Sequence, residues 1–411
     1  MLNHRKLAEL ETSPYVCDNT VVFFVHIPDA LQVSAVGSFN GWKKDAHPLR
    51  RIHDGWWISD PVQVPAPARH LYRFQLDGER FYDDPLNFNR TQNKHGPASF
   101  FDTWADIPGV SAQLNGIHDS LIQHPPGTGN PWVRDLCTMF LDDYLLQPHV
   151  NRSSTVRGFL VQRLFHALDE IERTEVRNGV RVWYIYNHGY VFKTPKICFG
   201  VDVVTTRHIW NLAWEIPDEI PERLARALGM LLVTHNHSDH ADHEIIARMT
   251  AHQKPVIVPS VLRPHFSARV TGIDAWERRS LRGVDVMARP GVHVYDNGRN
   301  VPCFTYEIVT DTGVRIFHTG DHDYAESLDW QEPPDILIPK FDGVTPKYPN
   351  EKVLEILFRY GDAGLIIPGH LSELAHYPLG GRASLRDALS QFQKCTVPYQ
   401  ILLWGESYLF S

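Results

Sequence analysis

The chain has 411 residues and a formal net charge of −8 at pH 7, with 43% hydrophobic and 21% charged residues. This length favours two or three domains with full cores, and the acidic balance gives a nucleic-acid partner no electrostatic support. No apolar run is long enough to cross a bilayer, the opening MLNHRKLAELETSP lacks a signal-peptide core, and five scattered cysteines (Cys17, Cys137, Cys198, Cys303, Cys395) argue against a disulfide framework. The expectation is a cytoplasmic protein.

Residues 1–105 read as β. VVFFVHI, LQVSAVGSF, GWWISDPV and HLYRFQLDG are short runs rich in Val, Phe, Tyr and Trp, each bounded by turn residues, at the spacing of a small sandwich. Trp56 and Trp57 are adjacent, so a strand sends them to opposite faces and one belongs to the core. Residues 106–150 read as a Pro- and Gly-rich linker followed by a helix opening at Asn130-Pro131. From 151 to 411 a third region is expected. It opens with a helix over about 154–175, with Val156, Phe159, Leu160, Leu164, Leu168 and Ile171 on one face. Strands then alternate with helices. VRVWYIY and YVFKT flank the hairpin signal Asn187-His188-Gly189, and KICFGVDVV follows. A helix near 221–228 closed by Gly229, the strand MLLVT, a helix near 241–251 and the strand PVIVPS come next. VRIFHTGD, DILIPK, GLIIPGH and YQILLW read as later strands, and helices are expected near 351–360 and 384–392. There is no internal repeat.

The apolar MLLVT runs straight into His235-Asn236-His237-Ser238-Asp239-His240. A strand that ends in imidazole and carboxylate delivers them to the loop before the next helix. Alternating histidines on an extended segment converge on one cation, and the Asp-His pair beyond can turn to a second. Neutral imidazole and carboxylate suit zinc and neighbouring first-row ions. A solvated histidine-rich loop is the bland alternative, and the full spacing after an apolar strand argues against it.

T-H-N-H-S-D-H resembles the first ligand motif of the metallo-β-lactamase superfamily. The resemblance implies an α/β fold, a four-layer αββα sandwich with a two-metal site at one edge of its sheets, over residues from about 180 to 411. The family's other elements follow in order: Asp202 in FGVDVV, His293 in MARPGVHVYDN, Asp321 in IFHTGDH and His370 in LIIPGH. Carried over, His235, His237 and His293 would hold one ion, Asp239, His240 and His370 the other, and Asp321 would bridge. Asp202 would stand behind the ligands and hydrogen-bond one of them or their loop. His265 and His318 are the rivals of His293, and His243 and His322 are expected beside the ligands or exposed. The T-H-x-H-x-D-H-x-D pattern through Asp242, the HTGDH stretch and the bare PGH are most similar to the branch holding ascorbate-6-phosphate lactonase and N-acylphosphatidylethanolamine phospholipase D. His237 and the lack of a flavodoxin domain speak against a flavo-diiron oxidase.

In the first region, AVGSFNGW (residues 35–42), GWW and HLYRFQLDGERFYDDP resemble the glycogen-binding module of the AMP-activated kinase β subunit and of starch-branching enzymes. The resemblance covers about residues 20–102 and implies an immunoglobulin-like all-β sandwich, with Trp42 and Arg73 at the family's sugar contacts. The sequence departs from the family where Arg80-Phe81 replaces a second Trp and where a late Asn is lost near Ala98-Ser99. Glycan binding and a scaffold role both stay open.

Together these resemblances imply a two-metal hydrolase, most simply with zinc, with manganese or iron as alternatives. A metal-bridging hydroxide would attack a lactone or ester of a sugar-related metabolite. A phosphodiesterase on lipid or nucleotide substrates is the second class, and a non-enzymatic glycan-binding protein with a structural metal is the third. Asp239, His322 or a metal-held water are candidate proton donors. A small-molecule substrate is expected; its identity and the oligomeric state are not written in the sequence.

Overall fold

Alternation of apolar and polar residues builds an all-β amino-terminal unit that ends near Val110. The structure, a computed structural model, describes residues 13–17, 19–52, 55–87, 89–93, 96–103, 109–128, 130–146, 150, 153–205, 216–266, 269–294, 300–323, 330, 332–341, 361–372, 374 and 384–411. VVFFVHI is two strands rather than one. Thr20–Val22 pairs with Tyr15–Cys17 and Val62–Gln63, whereas Phe24–His26 pairs with Trp56–Ser59 in the larger sheet. The break falls at Phe23, whose N–H donates to Ser59 Oγ and whose ring packs on Tyr72, Phe39 and Phe101 at 5.2–5.7 Å. One residue thereby turns the chain from sheet to sheet and fills the core between them. Trp57 is buried in that core and Trp56 is half-buried on the other face, as strand alternation requires.

The segment read as a linker carries a helix, Val110–Gln123. Its Val110, Leu114, Ile117 and Leu121 are buried at helical spacing. The Pro and Gly residues that suggested a linker lie mostly at its flanks, with only Gly116 inside. Helices Pro131–Leu145 and Ser154–Arg173 follow where expected, and all six apolar residues named for the second are buried.

The second unit holds two mixed sheets. Seven described strands pair in the order Thr271–Ile273, Val256–Pro259, Met230–Leu232, Cys198–Val201, Gly189–Lys193, Val180–Tyr186, Ser407–Phe410. Six pair in the order Arg278–Leu281, Val284–Val294, Asn300–Val309, Arg315–His318, Ile336–Ile338, Leu365–Ile366. Val201 and Leu232 are paired in parallel register, so the Asp202 and Thr234 ends of these strands emerge on the same edge. Ile316–His318 and Ile336–Ile338 are likewise parallel, which brings the turn after His318 to an edge of the second sheet. Tyr306 Oη donates to Val233 O, Tyr190 Oη to Pro368 O and Phe304 N to Thr234 O, joining the two sheets at that edge. Outside the sheets, helix Ser154–Arg173 receives bonds from Trp183 Nε1 and Lys193 Nζ, and Phe392 of helix Leu385–Phe392 packs on Phe341. This is the αββα metallo-β-lactamase fold. YQILLW departs from expectation. Tyr399 makes a single bridge to Ile366, and after Gly405 the last strand is Ser407–Phe410. The helix expected near 351–360 lies outside the described residues.

Candidate metal centre

The loop after Met230–Leu232 cannot run on as a strand, because Asp202 captures its first residue. The Asp202 carboxylate accepts Thr234 N at 2.7 Å and Thr234 Oγ1 at 2.6 Å, and it lies 2.8 Å from His240 Nδ1. Asp242 closes the loop. It accepts Glu244 N and Ile245 N as the cap of helix His243–Ala251, and it holds Thr205 N and Oγ1 as well. Between these two acids the chain is fixed, and His235 and His240 are wholly buried.

Asp321 arrives from the other sheet. Strand Arg315–His318 ends and Thr319-Gly320 turns the chain, with Thr319 N bonded to Ile338 O and Gly320 N to His318 Nδ1. Gly320 has φ +51°, and a Cβ there would sit 2.9 Å from Phe304 O and Thr234. Only glycine lets the turn pass so close, and the next residue is Asp321.

The two oxygens of Asp321 face different groups. Oδ1 is 3.1 Å from His240 Nε2 and 3.7 Å from His370 Nε2. Oδ2 is 3.7 Å from His235 Nε2 and 3.7 Å from His293 Nε2. The rings of His235, His237 and His293 cluster with centroids 4.5–5.3 Å apart. Asp239 Oδ2 is 3.5 Å from His240 Nε2 and accepts Asn187 Nδ2 at 2.9 Å. His370, at φ +61°, donates its backbone N–H to Asn187 O. All eight residues expected at the site from sequence therefore meet at one place. His235, His237, His293 and Asp321 form one group able to hold a metal ion, and Asp239, His240 and His370 another.

The electrostatics suit cation binding. Burial drives the His235 imidazole well below its usual range, so it stays neutral. Burial would also raise Asp321, but His240, His370 and Lys340 outweigh it and hold the acid well below the carboxylate range. Burial opposes the charge on His240, yet Asp321, Asp239 and Asp202 hold it well above the imidazole range. A carboxylate cluster that draws a proton onto His240 is one that a divalent cation would satisfy instead. His235 Nε2 and Asp321 Oδ1 are buried with no hydrogen-bond partner among the described residues.

The rivals of His293 are placed elsewhere. His265 is exposed. His318 is spent on backbone, since its Nδ1 accepts Gly320 N–H and its Nε2 donates to His188 O at 3.0 Å. Burial lowers His318 to about 3. His243 is exposed against Phe266, and His322 is buried, its Nδ1 accepting Val292 N–H. Sequence reasoning missed two residues, Asn187 and His188. They were read as a hairpin turn, which they are, with Tyr186 paired to Gly189. The turn also lies inside the site, and His188 groups with His240 and Asp321. Two polar residues in a turn between two largely apolar strands were the available signal.

In the amino-terminal unit, Trp42 is 38% exposed at φ +60°. Arg73 does not project freely: its Nε is 3.2 Å from Asp83 and its Nη2 donates to Pro97 O.

Residues 214–370 match the family model described as the beta-lactamase superfamily domain. Among solved structures, Igni18, a metallo hydrolase from Ignicoccus hospitalis, is 17% identical, with 57% of this chain and 99% of that one covered at a TM-score of 0.44. CmlA, a diiron β-hydroxylase from Streptomyces venezuelae, is 12% identical, with 92% and 76% covered at a TM-score of 0.42. A 1,4-alpha-glucan branching enzyme of Bradyrhizobium is 36% identical over 88 residues, which is 20% of this chain and 12% of that enzyme. One from Pseudomonas aeruginosa is 37% identical over 81 residues, 18% of this chain and 11% of the enzyme. The chain thus spans only a small part of the curated relatives it matches. Residues 214–370 are a beta-lactamase superfamily domain.

Proposed function

We propose that the protein is a dinuclear metal-dependent hydrolase acting on a lactone or ester of a sugar-related metabolite. One observation carries the reading: the Asp321 carboxylate divides its two oxygens between two histidine groups, Oδ1 toward His240 and His370 and Oδ2 toward His235 and His293. Donors sharing a tetrahedral cation at about 2.1 Å stand roughly 3.4 Å apart, close to the 3.1–3.7 Å found here. His235, His237, His293 and Asp321 would hold one ion, and Asp239, His240, His370 and Asp321 the other. Zinc fits this donor set, as do manganese and iron. Bound there, the cations would acidify water and polarise the scissile group.

The chain's own residues complete the arrangement. Asp202 fixes the His240 ring through Nδ1 and so turns its Nε2 to the site, and Asn187 does the same for Asp239. His237 keeps part of its surface exposed, which favours a catalytic site open on one side over a sealed structural one. His322 accepts at Nδ1, so its proton sits on Nε2, and it joins Asp239 as a candidate donor to the leaving group. Cys137, Cys198, Cys303 and Cys395 are free thiols, consistent with a cytoplasmic protein. Among the described residues no helix is long and apolar enough to cross a membrane.

The test has two parts. Elemental analysis of protein prepared without added metal, and again after incubation with each ion, should approach two per chain. A ratio that stays at or below one removes the dinuclear reading. Chromogenic lactones, esters and phosphodiesters offered to the loaded protein then separate the lactonase from a phosphodiesterase built on the same residues.

A further inference from the structure

His188 has the surroundings of a working residue and no assigned task. It lies in the turn Asn187-His188 and is wholly buried, and neither ring nitrogen has a hydrogen-bond partner among the described residues. A Cβ on Gly369 would fall 2.1 Å from His188 Cδ2 and 2.5 Å from Nε2, so Gly369 is the floor on which the Nε2 side rests. The His318 ring packs against that of His188 at a centroid distance of 4.3 Å and an angle of 32°, and its Nε2 pins the His188 carbonyl. On the remaining side, His188 Nδ1 faces Asp321 Oδ1 at 3.9 Å. That oxygen also lacks a hydrogen-bond partner among the described residues.

A buried imidazole carries at least one N–H, and a buried donor left unpaired is costly. The Nε2 side is closed by the backbone at Gly369. On the Nδ1 side, a shift of about 1 Å would bring a buried carboxylate oxygen into ordinary N–H···O range. Coordination of a metal through Nδ1 would demand the reverse, an acceptor for Nε2–H, because ligating histidines donate from their other nitrogen. No such acceptor stands there among the described residues. We propose that His188 is a positioning residue: its Nδ1–H donates to Asp321 Oδ1 and fixes the rotation of the carboxylate, so that each oxygen faces its own pair of histidines. This rests on the reading of Asp321 as the bridge between two ions.

The experiment compares His188→Asn, His188→Gln and His188→Ala in the full chain, with folding checked by circular dichroism. The Asn amide nitrogen falls near the place of Nδ1, and the Gln amide nitrogen near the place of Nε2. Zinc alone is the probe, with binding followed by competition against a chelator. Loss of a group supporting a ligand typically weakens metal affinity ten- to a hundredfold. The Gln and Ala variants should lose about that much for the more weakly held ion, while Asn stays within about threefold of the parent. Nitrogen-15 spectra of the histidine-labelled parent, metal-free and loaded, should show His188 protonated at Nδ1, and that resonance should move in Asp321→Asn.

Equal affinities in all three variants, or an Nε2–H tautomer in the parent, would overturn the proposal. Equal loss in Asn and Gln, with one nitrogen missing from the cobalt-substituted protein's coordination by X-ray absorption, would make His188 a ligand and overturn it too. A parent that binds fewer than two ions refutes the dinuclear reading, and the tautomer still decides the His188–Asp321 bond by itself. If the Ala variant fails to fold, the Asn–Gln pair and the tautomer carry the decision.

Discussion

The loop 235–240 and the loop GSFNGW of the amino-terminal unit are both motifs that follow a strand, and they meet different fates. In the first, buried side chains converge and each is held by a neighbour: His240 by Asp202, Asp239 by Asn187, His235 by Thr234 at 3.0 Å. In the second, nearly every residue has a task in the fold. Gly37 passes under Leu71 O, where a Cβ would sit at 2.2 Å. Ser38 Oγ accepts Leu71 N, Phe39 packs on the core, Asn40 Oδ1 accepts Gly37 N, and Gly41 adopts φ +64°. Only Trp42 is left over. A motif whose residues are used up in shaping a turn reports a fold; one whose donors are pinned from behind and converge on a shared point reports a ligand.

The sharpest way to break this contrast is at Asp321. Asp321→Asn keeps the shape and removes the charge that faces both histidine groups. Turnover should fall more than about a hundredfold, as for loss of a principal electrostatic element, and metal content should fall with it. Asp274→Asn, at an exposed position far along the chain from the motifs, is the control. Equal activity and equal metal content in the two variants would take Asp321 out of the site.

A smaller effect is expected at Asp202, which among the described residues hydrogen-bonds Thr234 and, of the candidate ligands, His240 through its Nδ1. Asp202→Asn should weaken metal affinity about tenfold to a hundredfold, since it releases one ligand ring without removing a ligand. A loss as complete as that in Asp321→Asn would place Asp202 among the ligands instead.

These two residues also show what the sequence could and could not reveal. Asp202, Asp321, His370 and the histidines of the 235–240 loop were legible because each follows shortly after a short apolar strand, and strand order carries them to one edge. His293 was harder, with His318 and His265 as rivals. What separates it is a pair of backbone bonds that consume His318, and no spacing rule announces those. Asn187 and His188 were hidden behind a correct local reading, since a two-residue turn explains both without a site. The helix Val110–Gln123 was lost because Pro and Gly at its ends outweighed a four-residue apolar stripe within. YQILLW has the composition of a strand, but beyond the single bridge at Tyr399 its residues 401–404 are buried without a ladder.

His318 sharpens the contrast through pH. Its imidazole falls from 6.5 to about 3 on burial, so between those values the unfolded chain binds the extra proton and the folded one does not. Stability contributed this way is present above 6.5 and declines as the pH drops, by about 1.4 kcal/mol per unit at most. Urea midpoints of the metal-free protein at about pH 7 and about pH 5 should therefore differ more in the parent than in His318→Gln, whose amide does not titrate. Identical acid sensitivity in the two proteins would mean that His318 titrates in the folded state much as it does when unfolded.

The smallest effect is expected at Trp42, the one residue of GSFNGW with no evident structural task for its exposed side chain. Its aromatic face is free to stack on a pyranose, but Arg73, which the resemblance pairs with it, is occupied by Asp83 and Pro97, and Phe81 stands exposed where a second Trp would be. A single stacking surface gives weak binding, so retardation in a glycogen or starch gel is a suitable measure. Trp42→Ala should restore free migration and leave metal content and hydrolysis of small substrates unchanged. Retarded migration that survives the substitution would put the sugar surface elsewhere. Free migration of the parent on every polysaccharide would make the module a scaffold, and the turn geometry of Gly37, Asn40 and Gly41 would then account for its resemblance to a glycogen-binding domain.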